Sequence, residues 1–381
     1  MRFKKYLLLI ISILFTFCLF SCDKKEEPNY VIRKYSYFSY LDTISSITIQ
    51  FDTNVTSIEQ MEYNMKQVDN ILLEIETTFS VEQTINMQLQ QKPISLLMTV
   101  NENAGVLDEE NKLIYTDVNS DFINLLKQSI YVSELLNGSF DITVGPLTNL
   151  WDITGQMGLG EAYIKIPTQE QIQEKLQYVN CDKIIFDEVN NKVALPEGMK
   201  LDFGAIAKGY AADKVVEYVK TLDYEIALID LGGNIYTIGE SPTTTSTIGI
   251  RNPYYKNEAS EPDQLMKTTK KDMSIVTSGI YERFIEKDGV IYHHLINPIT
   301  GYPFDNEILS VSIIGESSAL CDAIATGIYG LGLEAGIEKI KQLEGYSAVF
   351  ITNDRNVYVV GDVEFTVEQG TEQFTFNYIR G

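Results

Sequence analysis

Apolar residues recur on two rhythms along this chain, and the switches between them mark out its elements. Over residues 35–51 apolar and polar positions alternate in a stretch rich in Tyr, Ile and Thr, the period of a strand. From Ile58 the spacing lengthens. Met61, Met65, Val68, Ile71, Ile75 and Phe79 continue a helical stripe, with Thr56 or Ser57 as its cap. The polar run 83–92 reads as a loop, and 119–136 as a second helix that stops at Asn137-Gly138. Residues 137–153, NGSFDITVGPLTNLWDI, carry too much Gly, Pro and Thr for a regular element. A short helix follows over 167–179, then a hairpin over 183–195 turning at Asn190-Asn191.

The second half repeats the alternation. Ala211, Val215, Val219 and Leu222 form one helical stripe. Strands are predicted over 226–229 and 235–238, joined through Gly232-Gly233-Asn234, and again over 248–251, 274–278, 290–295 and 309–314. Ser317 or Ser318 caps a helix that runs through Asp322 and Thr326; a further helix over 333–343 and a hairpin over 348–360 complete the order. Helices and strands alternate without the one-to-one rhythm of a doubly wound sheet, so a mixed α+β architecture is expected.

Composition changes the picture mainly at the N-terminus. Arg2, Lys4 and Lys5 precede an uncharged apolar run over 6–20, too short to span a membrane but suited to a signal-peptide core. Leu19-Phe20-Ser21-Cys22 then resembles a bacterial lipobox, which implies cleavage before Cys22, a lipid on its sulfur, and a mature chain tethered to the outer face of the cytoplasmic membrane. An uncleaved anchor helix is the alternative. Loss of residues 1–21 moves the formal charge from −23 to −26, and so acidic a chain is an unsuitable partner for nucleic acid. The other two cysteines beyond the leader, Cys181 and Cys321, have no CxxC spacing and read as buried apolar residues; whether they pair is left open.

Five stretches carry candidate chemistry. Asp202-Phe203-Gly204-Ala205-Ile206-Ala207-Lys208 stands at the entrance to the helix that bears the Ala211 stripe. Unpartnered N–H groups at a helix start, with Lys208 beside them, suit a phosphate; a tight strand-to-helix turn is the plainer reading. Asp202 fits beside an anion if it binds a hydroxyl, a ring N–H or a cation. Asp322 and Thr326, four apart, offer oxygen on one helix face, as Mg²⁺ requires, although the pair is commonplace on helices. His293 and His294 are the only histidines, and on a strand they face opposite ways, so either is a structural residue or one moves protons near neutrality. Ser139, Phe140, Asp141 and Phe79 offer a hydroxyl, a carboxylate and aromatic faces for stacking or for core.

Taken together, these stretches resemble the ApbE family, the FAD:protein FMN transferases. The family's G-x-F-D-x-T-V-G-P-L-x-N-L-W segment is present as GSFDITVGPLTNLW over 138–151, and its D-x-G-x-I-A-K-G-Y-A as DFGAIAKGYA from Asp202. The G-G-(D/N) turn is LGGN, and S-G-x-Y-x-R is Ser278-Gly279-Ile280-Tyr281-Glu282-Arg283. H-x-x-(D/N)-P-x-T-G-x-P is HLINPITGYP, and D-A-x-x-T runs from Asp322 to Thr326. Two departures stand out. Leu41-Asp42-Thr43 replaces the family's Met-Gly-Thr, and Asn297 replaces the commoner Asp, so no metal role is carried to Asn297.

The resemblance implies a single large mixed α/β domain, T-fold-like, over 35–381, after a leader over 1–21 and a tether over 22–34. It implies FAD contacts at Leu41, Phe79, Ser139, Phe140, Asp141, Asp202, Lys208 and Ile296. Mg²⁺ would be held by the Ala205 carbonyl, Asp322 and Thr326. His294 matches the family's histidine and is the candidate base, with Asp202 as the alternative. The expected reaction transfers FMN from FAD to a threonine of an acceptor protein, such as a subunit of a membrane redox complex or an extracellular electron-transfer protein, and releases AMP. Hydrolysis of FAD to FMN and AMP, and non-catalytic FAD binding, are the rivals.

Overall fold

The computed structural model describes residues 27–241, 243–255 and 262–380; the expected leader and Cys22 lie outside them. Nine strands form one sheet: β1 (Tyr30–Tyr40), β2 (Thr43–Asp52), β3 (Ile226–Leu231), β4 (Asn234–Gly239), β5 (Met273–Gly279), β6 (Ile308–Gly315), β7 (Ser347–Thr352), β8 (Asn356–Val360) and β9 (Thr375–Ile379). Their order in space is their order in the chain. Neighbours run antiparallel except β8 and β9, which are parallel. Helices packed on one face include α1 (Ile58–Phe79), α2 (Ser120–Leu135), α4 (Ala207–Val219), α5 (Ser318–Leu331) and α6 (Leu333–Lys341), while α3 (Gly145–Trp151) packs in a separate small cluster around Trp151.

The two-residue period of the central strands divides their side chains between two cores. Val276, Val311, Ile313, Ala348 and Phe350 point into the main core under the helices. Ile275, Ile314, Val349 and Ile351 point the other way, into a smaller core shared with the strands Ile248–Arg251 and Gln264–Thr268. Burial on both faces explains why β6 and β7 read as nearly continuous apolar runs. Fully burying each such side chain contributes about 1.5–3 kcal/mol, so the sheet centre is the rigid platform on which α4 and α5 rest.

Several expectations are corrected. The single strand expected over 35–51 is a hairpin, because Leu41 and Asp42 adopt left-handed conformations (φ 52° and 55°) and reverse the chain without glycine. The loop expected over 83–92 contains a short helix, Ile85–Leu89, whose N-cap Thr84 accepts from the Met87 amide. In the stretch judged irregular, α3 forms with Pro146 in its first turn, where a missing N–H costs nothing, and a second short helix, Ile153–Gln156, follows. Elsewhere Ser57, Asn119 and Ser317 are the caps of α1, α2 and α5. Cys181 and Cys321 are buried free thiols.

Candidate active site

The site grows from the junction between β3–β4, the start of α4, and α5. Asp202 leads the chain into α4: its Oδ1 accepts from the Gly204 amide at 2.8 Å and its Oδ2 from the Thr148 hydroxyl of α3 at 2.9 Å. Lys208 in the first helical turn donates from Nζ to the Gly204 carbonyl at 3.2 Å. Gly209 N–H is one of the first-turn amides that have no partner within the helix, and it donates to Asp322 Oδ2 at 3.0 Å. Among the described residues the Ala205 carbonyl, which precedes the helix, accepts no hydrogen bond.

Glycine is required at that position. A Cβ on Gly209 would lie 2.2 Å from the Ser318 carbonyl, so α4 and α5 touch backbone to backbone. That contact carries the buried Asp322, 4% exposed, against the turn. Its Oδ2 also accepts from Asn234 Nδ2 at 3.0 Å and lies 3.7 Å from Lys208 Nζ. Oδ1 accepts nothing among the described residues. One turn along the same face, the Thr326 hydroxyl lies 3.2 Å from Ser278 Oγ of β5.

The free donors are thus a carboxylate oxygen, a hydroxyl and a backbone carbonyl. All are hard oxygens, and among the described residues no group of three or more His, Cys, Asp or Glu side chains comes together. Such a set fits Mg²⁺, which binds through few protein ligands and keeps the rest of its shell for water and phosphate, and is a poor fit to a thiolate- or imidazole-seeking metal.

The two histidines separate cleanly. His293 Nε2 donates to the Phe304 carbonyl at 2.8 Å and its Nδ1 accepts from the Leu295 amide at 3.3 Å, which uses both nitrogens. His294 Nδ1 lies 3.1 Å from the Arg283 carbonyl. A carbonyl only accepts, so Nδ1 carries the proton and Nε2 keeps a bare lone pair. Burial lowers the His294 pKa to about 4, with the positive charges of Arg283 and Lys208 acting in the same direction. The ring is accordingly neutral near pH 7 and equipped to accept a proton.

The sequence matches the profile of the ApbE family over residues 41–350. The chain belongs to the ApbE family. It is 38% identical over 226 residues to an FAD:protein FMN transferase of Klebsiella pneumoniae (strain 342), a match that covers 59% of this chain and 67% of the relative. It is 31% identical over 313 residues to an FAD:protein FMN transferase of Treponema pallidum (strain Nichols), covering 77% and 81%. In fold it is similar to the flavin transferase ApbE from Vibrio cholerae, with TM-score 0.68, 22% identity, and 91% and 100% of the two chains covered. The ApbE protein of Thermotoga maritima gives 0.69, 24%, and 90% and 99%.

Within this ApbE domain, Lys208 and Asp322 meet at the start of α4, with Asp202 and Ala205 on the turn that leads into it and Thr326 one turn further along α5. Phe79 is 3% exposed, stacked on Phe122 and edge-on to Phe203 and Tyr210. Phe140 and Ile296 are also core side chains, because their sequence positions fall where α5 and the Trp151 cluster need apolar filling. Of the two readings open for Phe79 and Phe140, stacking face or core, burial in the main cluster fits the core, and Ile296 packs in the separate Trp151 cluster. Asp141 is spent on its own loop: Oδ1 accepts from the Thr143 amide and hydroxyl, and Oδ2 from the Cys181 amide. Ser139 Oγ lies 2.8 Å from the Gly327 carbonyl and so ties its loop to α5. Leu41 sits half-buried on the β1–β2 turn, its amide donating to the buried Glu76 at 3.0 Å.

Sequence reasoning passed over Gly209, Asn234 and Ser278 as individual site residues. Each lay inside a quoted motif, but only the packing shows that Gly209 and Asn234 saturate one oxygen of Asp322 and leave the other free.

Proposed function

We propose that the chain transfers FMN from FAD to a threonine hydroxyl of an acceptor protein and releases AMP, with Mg²⁺ bound at the α4–α5 junction. The observation that carries this reading is the Asp322–Gly209 hydrogen bond. It joins the only carboxylate of the candidate metal set to a turn that offers a free carbonyl, a helix start and a lysine whose Nζ lies 3.7 Å from that carboxylate. Membership of the ApbE family, with relatives named FAD:protein FMN transferase, supports the substrate and the class of reaction.

Asp322, Thr326 and the Ala205 carbonyl would hold the ion, which when bound withdraws charge from a diphosphate and stabilises a phosphate leaving group. Lys208 adds a fixed positive charge for the diphosphate, and its bond to Gly204 limits where that charge can swing. His294 accepts the threonine proton at Nε2 while the hydroxyl oxygen bonds to the phosphorus of the FMN half; the bridging P–O bond breaks and the AMP half leaves with its electrons. Arg283, through its carbonyl, keeps the imidazole in the tautomer this step needs. The lipobox-like Leu19-Phe20-Ser21-Cys22 supports a lipid anchor at Cys22 and work outside the cytoplasmic membrane.

The test is to incubate the domain with FAD and Mg²⁺, with and without an acceptor protein. Transfer predicts a gain of FMN mass on the acceptor and AMP that depends on its presence. AMP at the same rate without acceptor would make the chain a hydrolase, and FAD bound with no AMP under either condition would make it a carrier.

A further inference from the structure

Gly209 and Asp322 are one half of an exchange between two antiparallel helices. One turn further along α4, Asp213 faces the first residues of α5: its Oδ1 accepts from the Ser318 amide at 2.7 Å, and its Oδ2 from the Ala319 amide at 3.0 Å and the Ser317 hydroxyl at 2.8 Å. One turn further along α5, Asp322 accepts from the start of α4. Each helix therefore supplies a carboxylate to the unpartnered N–H groups of the other, where a negative charge is best placed. Between the two contacts the helices touch at Gly209 and the Ser318 carbonyl, so no side chain there can absorb a slip.

We infer that Asp213 is a positioning residue for the candidate metal site: by gripping the first turn of α5 it sets the height of Asp322 and Thr326 against Ala205 and Lys208. This inference rests on the metal reading proposed above. Three acceptor contacts converge on one half-buried carboxylate, and Asp322 lies one turn from the gripped residue on an unbroken helix. A shift of the α5 start would be passed directly to the metal oxygens. Sequence distance hides the relation, since Asp213 and Ser318 are 105 residues apart.

Asp213→Asn isolates that grip. An amide keeps one acceptor oxygen, but it turns an NH₂ toward the second backbone N–H, so the grip is halved while volume is unchanged. Removal of groups that orient metal ligands typically weakens metal affinity about 10- to 100-fold.

The experiment is a Mn²⁺ titration of the FAD-loaded domain, read by loss of the free-ion electron paramagnetic resonance signal. It compares wild type, Asp213→Asn, and Ser57→Ala, a cap deletion at α1 that controls for general destabilisation. Asp213→Asn is expected to raise the Mn²⁺ dissociation constant about 10-fold or more, with Ser57→Ala unchanged. Ser317→Ala, which removes the hydroxyl donor to Asp213 together with the cap bond to the Leu320 amide at the same helix start, covers the case in which Asp213→Asn does not fold, and is expected to weaken binding by less than Asp213→Asn does. Binding by folded Asp213→Asn within twofold of wild type, or by Ser317→Ala equal to wild type when it alone folds, overturns the inference. Failure of the wild-type protein itself to take up Mn²⁺ would instead overturn the metal reading on which the inference stands.

Discussion

Asp322 Oδ2 accepts a hydrogen bond from the Gly209 amide at 3.0 Å, across 113 residues of sequence. Two candidate stretches, a glycine turn with a lysine and a helix with a carboxylate, are thereby one site. The bond also satisfies a first-turn amide of α4, so a single contact ties the carboxylate to the turn that carries the Ala205 carbonyl.

The closeness of the helices makes Gly209→Ala a sharp probe. The added methyl would meet the Ser318 carbonyl at 2.2 Å, inside any real contact distance, and backbone cannot rotate away. Overpacking of this kind costs about 1–3 kcal/mol. The expected outcome is a lower urea midpoint together with loss of most AMP release, measured on the same preparation. Full activity would show that α5 can move outward without disturbing the site.

His294 and His293 should respond differently to substitution. His294→Gln is expected to lower FMN transfer about 10²- to 10⁴-fold, the range for a positioned base, with FAD affinity little changed. His293→Gln should act on stability, because both ring nitrogens are already occupied by backbone partners. Transfer assays, FAD titration and urea melts on the two variants separate these roles.

The pH dependence follows from the same rings. Burial holds the His294 pKa at about 4, where 6.5 is ordinary, so the base is neutral above about pH 5 and transfer should hold level there, failing only as pH falls through about 4. A rate that halves near pH 6.5 would contradict this environment. For stability, the His293 pKa is likewise lowered to about 4 by burial, so the unfolded chain takes up the proton first. Its contribution is complete above about pH 6.5 and is lost as pH falls toward 4, roughly 3 kcal/mol in all. Buried carboxylates with raised pKa, such as Asp213 and Glu76, act in the opposite sense. The clean readout is therefore the difference between wild type and His293→Gln over that window.

Asp141 tests whether family motif or local bonding assigns a residue its work. All three donors it meets belong to its own loop and to Cys181. Asp141→Asn is expected to lower the melting temperature by several degrees, about 1–2 kcal/mol of lost hydrogen bonding, while FAD affinity stays within threefold. A large loss of FAD affinity in a protein of unchanged stability would return Asp141 to the flavin.

Much of this was legible in the residues. The four-residue spacing of Asp322 and Thr326 fixes a shared helix face in any fold, and the Ser57, Asn119 and Ser317 caps announce their helices locally. What stayed hidden depends on distance through space. An aromatic at helical spacing reads alike whether it lines a cleft or fills a core, and only the cluster with Phe122, Phe203 and Tyr210 assigns Phe79 to the core. The hairpin at Leu41-Asp42 was missed because Asp42 tolerates a left-handed conformation but Leu41 beside it does not signal one, and no glycine marks the turn. Asn234 reads as a turn residue until Asp322 is packed beside it.

The most direct measurement is a crystal structure of the domain with FAD and Mn²⁺, with anomalous scattering collected to locate the ion. The account predicts one peak in contact with the Asp322 carboxylate, Thr326 Oγ1, the Ala205 carbonyl and a diphosphate oxygen of FAD. A diphosphate bound away from the start of α4, or an ion that touches neither Asp322 nor Thr326, would contradict it.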